Sequence, residues 1–124
     1  MERVYWIEYK EHRILFSNYA DLSAEELTEA VAVVDAELLP KYRDLPPGSV
    51  LSLADVTNAV ASKESIAALK NSVKKWQPLY KKQAVYGLSS FQRIFLNAVN
   101  KFSGGNIIHF DTREEALEWL IRGD

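Results

Sequence analysis

The run Gly87-Leu88-Ser89-Ser90-Phe91 falls where a strand should give way to a helix, the position of a nucleophile elbow. Asp55 and His109 would complete a serine, aspartate and histidine set for hydrolysis. Two features argue against it. Phe91 stands where the elbow's second glycine belongs, and the chain order Asp, Ser, His is not the hydrolase order. His109 also sits beside Phe110 inside an expected strand, the usual setting of a structural imidazole. A small hydrolase therefore ranks last among the functions considered. Metal chemistry has less to work with. His12 and His109 are the only histidines, cysteine is absent, and no H-E-x-x-H occurs. Ser103-Gly104-Gly105-Asn106 lacks the lysine of a Walker loop, and there is no G-x-G-x-x-G. No catalytic residue, metal or cofactor is expected, and the chain reads as a non-enzyme.

The residue types support binding instead. Asp55, Thr57 and Asn58 follow one expected strand, Ser89 and Ser90 the next, and Asp111 and Thr112 the last, each ahead of a helix. Open α/β sheets hold ligands beyond the carboxyl ends of their strands. Free N–H groups at a helix start, the Ser89 and Ser90 hydroxyls and Arg93 one turn on would suit a small anion such as phosphate. The same residue types cap helices in any protein. A second possibility is apolar. Trp76, Tyr80, Phe91, Phe95 and Phe102, expected on two successive helices, would either line a pocket or fill the core.

These residues are positioned by alternating strand and helix patterns. Val4–Tyr9 and Arg13–Ser17 read as two strands joined by the polar turn Lys10-Glu11-His12, hence antiparallel. Ser23 with Glu26 forms a capping box for a helix carrying Leu27, Val31, Val34 and Leu38, which Pro40 ends. Ser49–Val56 reads as a buried strand. Ser62 or Lys63 opens a helix to about Tyr80, striped by Ile66, Leu69, Val73, Trp76 and Tyr80. A strand Gln83–Leu88 follows, then a helix capped by Ser89 and Ser90 whose inner face uses Phe91, Ile94, Phe95, Ala98, Val99 and Phe102. Ser103-Gly104-Gly105 breaks it. Asn106–Phe110 is the last strand, and Asp111 with Glu114 caps the last helix. The order β-β-α-β-α-β-α-β-α predicts an α/β fold: one mixed, mostly parallel five-stranded sheet covered by four helices, in one domain over residues 1–124.

Composition agrees. Hydrophobic residues at 48% and charged residues at 26% match an ordinary globular chain. Residues 63–101 hold eight basic side chains and one acidic one within a chain of net charge −2, a basic centre that would meet an anionic partner or simply solvate a helix face. A pI near 5.7 argues against nucleic acid. No stretch has the length and apolarity of a membrane span, and Glu2, Arg3 and Glu8 break up any leader pattern, so a cytoplasmic location is expected. The edge strand expected at Val4–Tyr9 would suit a homodimer.

Four stretches carry a family likeness. Pro47-Gly48-Ser49-Val50-Leu51-Ser52-Leu53-Ala54-Asp55-Val56-Thr57, Gly87-Leu88-Ser89-Ser90, Leu96-Asn97-Ala98-Val99-Asn100-Lys101-Phe102-Ser103-Gly104 and Phe110-Asp111-Thr112-Arg113-Glu114-Glu115-Ala116-Leu117-Glu118-Trp119-Leu120 together resemble the SpoIIAA-like branch of the STAS superfamily. These are small bacterial proteins also grouped with the lipid-binding Sec14-like fold. The resemblance covers nearly the whole chain. It implies a regulatory or ligand-binding domain that acts through a protein partner or through a small anionic or lipid ligand. A Sec14-like lipid or amphiphile carrier that associates with membranes is the alternative. In the anti-sigma-factor antagonists of the superfamily, a phosphorylated serine in Asp-Ser-Ser-Gly starts the helix after the third strand. Ser62 stands near that place, within Asn58-Ala59-Val60-Ala61-Ser62-Lys63-Glu64-Ser65, without the preceding acid or the following glycine. The resemblance thus puts partner binding at Ser62 and the turn Asp55–Asn58.

Overall fold

The computed structural model describes residues 3–89 and 92–123. Five strands form one sheet in the order β1-β2-β3-β4-β5: β1 Val4–Tyr9, β2 His12–Asn18, β3 Val50–Asp55, β4 Tyr80–Tyr86 and β5 Ile107–Phe110. β1 and β2 are antiparallel, in register from Val4 against Ser17 to Tyr9 against His12, and every later pair is parallel. Lys10 and Glu11 turn this hairpin with φ of 47° and 69°, the two left-handed residues that a tight I′ turn requires. Four helices complete the fold: α1 Ala24–Val33, α2 Lys63–Trp76, α3 Arg93–Ser103 and α4 Arg113–Leu120.

From β2 onward each crossover advances the sheet by one strand, which leaves α1, α2 and α3 together on one face. Val4, Leu15 and Val50 pack there against Leu27, Val31, Val34 and Trp76. α4 lies on the opposite face, where Ala116, Leu117 and Leu120 cover Ile14, Phe16, Leu53 and Ala84.

Local chemistry accounts for the boundaries. Ser23 accepts from the Glu26 amide at 3.2 Å, and the Glu26 carboxylate accepts from the Ser23 amide at 2.9 Å, closing the expected capping box. These bonds, the backbone one foremost, hold the Glu26 carboxyl below its ordinary pKa. Ser62 caps α2 in the same reciprocal way with Ser65, whose side chain is fully buried. After α1 the chain widens into a π-turn, Val34–Leu38, before Pro40 ends it. That turn presents Asp35 to α2, where the Trp76 indole N–H donates to it at 2.8 Å.

Several expectations are corrected, among them the Ser89 cap, since α3 has Gln92 at its N-cap with no side-chain cap bond. α2 stops at Trp76 rather than Tyr80, because Pro78 has no N–H to give the preceding turn and its ring crowds that turn's carbonyl. Tyr80 therefore opens β4, which ends at Tyr86 instead of Leu88, where Gly87 takes a φ of 93°. Thr112, not Asp111, caps α4: its hydroxyl accepts from the Glu115 amide at 3.2 Å. On α3 the inward row is Phe95, Val99 and Ser103. Ile94 and Phe102 lie one residue, roughly 100° of helix, off that row and are 64% and 47% exposed. The Phe102 ring is instead approached by the Lys70 and Lys74 ammonium groups, at 5.8 and 5.3 Å from its centroid.

Candidate functional site

The first three helices do not close onto the middle of the sheet. β3 alternates Leu51 and Leu53 on the α4 side with Ser52 and Ala54 on the other. Ser17 on β2 pairs with Ala54, so three small side chains lie together beneath α2. A parallel strand buried on both faces ordinarily carries branched aliphatic residues on each, and here one face is missing that volume. The result is a partly open cavity of about 160 Å³. Its roof comes from Leu69, Val73 and Trp76 of α2 and from Phe95, Leu96 and Val99 of α3. Its floor includes Ser52, Gln83 and Val85, and Tyr80 closes one side. No described lining residue is charged. The space compares with the ~150 Å³ apolar cavity that admits benzene.

Trp76, Tyr80 and Phe95 therefore share one wall system, Tyr80 from a strand rather than a helix. Burial pushes the Tyr80 phenol well above its ordinary pKa, and does the same to Tyr19, which also lines the space. Phe91 lies outside the described residues, as does Ser90.

Asp55, Thr57, Asn58, Ser62, Ser89 and Arg93 do not line the cavity. They are engaged in the loops at the carboxyl ends of the strands. Asp55 Oδ1 accepts from the Thr57 amide at 2.9 Å and from the Thr57 hydroxyl at 2.7 Å. Asn58 has a φ of 59° and donates to Asp21, which has a φ of 61°, at 3.1 Å. The two loops are also tied by the Asp21 amide donating to the Thr57 carbonyl at 2.8 Å. Thr57 in turn sits directly over Gly87, where a Cβ would come within 2.7 Å of the Thr57 nitrogen. Ser89 Oγ accepts from the Gln92 amide at 3.2 Å, and the Gln92 side chain accepts in return from the Ser89 amide at 3.1 Å. The Arg93 guanidinium, placed in the expected anion site, meets the Asp111 carboxylate at 2.7 Å. Beside this pair lies His109, whose Nε2 is buried with no hydrogen-bond partner among the described residues. Burial, and then the Arg93 charge, lower its pKa against the opposing pull of Asp111.

Gln83 and the small residues Ser17 and Ser52 carry no motif that marks them in the sequence. The signal that marks Ser52 is the face alternation of β3, large on one side and small on the other, which a near-continuous apolar run conceals, and Ser17 and Gln83 follow from it only through the ladder.

No protein-family model and no curated protein matches the chain. Its fold does have a solved counterpart. The crystal structure at 2.25 Å resolution of an uncharacterized protein of the DUF3478 family with a SpoIIAA-like fold, from Shewanella loihica PV-4, aligns with a TM-score of 0.69. The alignment covers 94% of this chain and 91% of that one at 18% identity. The chain has the SpoIIAA-like α/β fold that its residues resemble. No helix among the described residues is long and apolar enough to cross a membrane.

Proposed function

We propose that the chain is a non-enzymatic, STAS-like ligand-binding domain whose ligand occupies the cavity beneath α2 and α3. The observation that carries this reading is the cavity itself, about 160 Å³ walled mainly by apolar side chains. Protein interiors are close-packed, and an unfilled space of this size forfeits dispersion contacts on every wall. Small residues gathered on three adjacent strand positions, Ser17, Ser52 and Ala54, make the space a consequence of the sequence rather than of one ill-fitting side chain. Its dimensions favour a compact molecule, or the apolar end of a longer one, over an enclosed diacyl lipid.

Native against denaturing mass spectrometry of freshly purified protein tests the reading, with organic extraction of anything released and benzene titrated into emptied protein. The expected result is a stoichiometric mass lost on denaturation, or saturable benzene shifts at the Val73, Trp76 and Val99 amides. A bare chain mass together with unmoved amides would overturn it.

A further inference from the structure

We infer that the cavity's ligand is an uncharged molecule with an apolar body and one hydrogen-bonding group, and that the Gln83 side-chain amide recognises that group. This rests on the cavity being a ligand site. Gln83 lies on β4, directly across the ladder from Ser52, and it lines the cavity floor. It is only 9% exposed. Among the described residues its side chain has no hydrogen-bond partner, and its amide atoms are not sealed off but stay accessible from the cavity it lines. A primary amide brings two N–H donors and an acceptor oxygen. A mostly buried amide without a protein partner is met by water or by a ligand, because leaving it unmet forfeits its hydration. Here the complement is absent from the surrounding protein, and the open volume lies beside it.

Charge sets the other half of the specification. Not one described lining residue is Lys, Arg, His, Asp or Glu. An ionised carboxylate, phosphate or ammonium placed inside would be desolvated with no counter-charge. The basic side chains of the chain's centre cannot supply one from within the cavity: Lys70 and Lys74 are turned toward Phe102 and Lys75 toward Asp35. The chemistry that fits is therefore a neutral alcohol, phenol, amide or ketone on a body about the size of benzene, with the Ser52 hydroxyl beside the amide as a second partner. Ordered water alone would also satisfy Gln83, since the space is polar on one side and roomy enough.

Calorimetric and amide-shift titrations of the intact chain and of Gln83→Leu with benzene, phenol and benzoate separate these outcomes. All are done near neutral pH, where phenol is uncharged and benzoate is ionised. The expected result is phenol binding at least about tenfold tighter than benzene, with benzoate inert. In Gln83→Leu the preference should vanish or reverse. The wild-type comparison stands even if that variant misfolds, and Gln83→Met, which keeps the chain length, repeats it. Equal affinities for phenol and benzene in both proteins would overturn the inference while leaving the ligand-binding reading intact. Benzoate binding as tightly as phenol would overturn it as well. Failure of all three probes, with Gln83 holding water only, would instead remove the reading on which it rests.

Discussion

His109 shows how one side chain links burial to pH. Its ring is desolvated and lies near the Arg93 cation, so the folded protein resists protonating it. As pH falls through the ordinary histidine value near 6.5, the unfolded chain takes up the proton first. This contribution to stability is complete above that pH and is lost through the window below it, until the folded ring protonates too. Urea midpoints at about pH 7.5 and about pH 5 should therefore fall further apart in the wild type than in His109→Gln, which cannot titrate. Equal falls in both proteins would show that His109 has no part in the acid sensitivity. Trp76 is the opposite case: its indole N–H is met by Asp35, so a large aromatic sits at the cavity wall with its polar atom satisfied.

Between elements, the tightest constraint is Gly87 under the Thr57 turn. A φ of 93° already disfavours any Cβ, and a Cβ would lie 2.7 Å from the Thr57 nitrogen and 2.8 Å from its Cα. Gly87→Ala should cost more than about 1 kcal/mol and loosen the β3–α2 loop. Gly48→Ala, also at positive φ but with open space around it, isolates the backbone part of that cost. Denaturant unfolding of the two variants reads the difference, and equal losses would show that the close approach is relieved elsewhere. The elements themselves were largely legible. β1 has the bounds its alternation predicts, and Ser23 and Ser62 cap the helices they were expected to open. The differences have local causes: the apolar stripe of α2 continues past Pro78, which ends the helix, and Thr112 outcompetes Asp111 as a cap. The apolar pattern of α3 is one row wider than its buried face, because Ile94 and Phe102 keep helical spacing while sitting at the margin of the layer. Trp76, Tyr80, Phe91 and Phe95 stand out in the sequence as aromatics that line a pocket or fill the core, whereas nothing in the segment around Gln83 marks it. A cavity is volume that several elements fail to fill, and no single segment's pattern records it.

Across the whole molecule, that unfilled volume is available for redesign. Ala54→Leu places a branched side chain into the space from the β3 floor. It should raise stability by about 0.5–2 kcal/mol, as cavity filling commonly does, and abolish benzene binding. A destabilised protein that still binds would mean that the side chain has been turned aside. The sheet order carries a consequence for synthesis. Each strand pairs with the one made just before it, so the sheet grows outward as the chain leaves the ribosome, and α1, α2 and α3 cover most of their side as they appear. The other side waits. Ile14, Phe16, Leu53 and Ala84 have α4 as their cover, and α4 follows the last strand. A nascent chain paused before Arg113 thus carries a completed sheet with one greasy face bare, and this is the stage at which a holding chaperone, or a second unfinished chain, has something to grip.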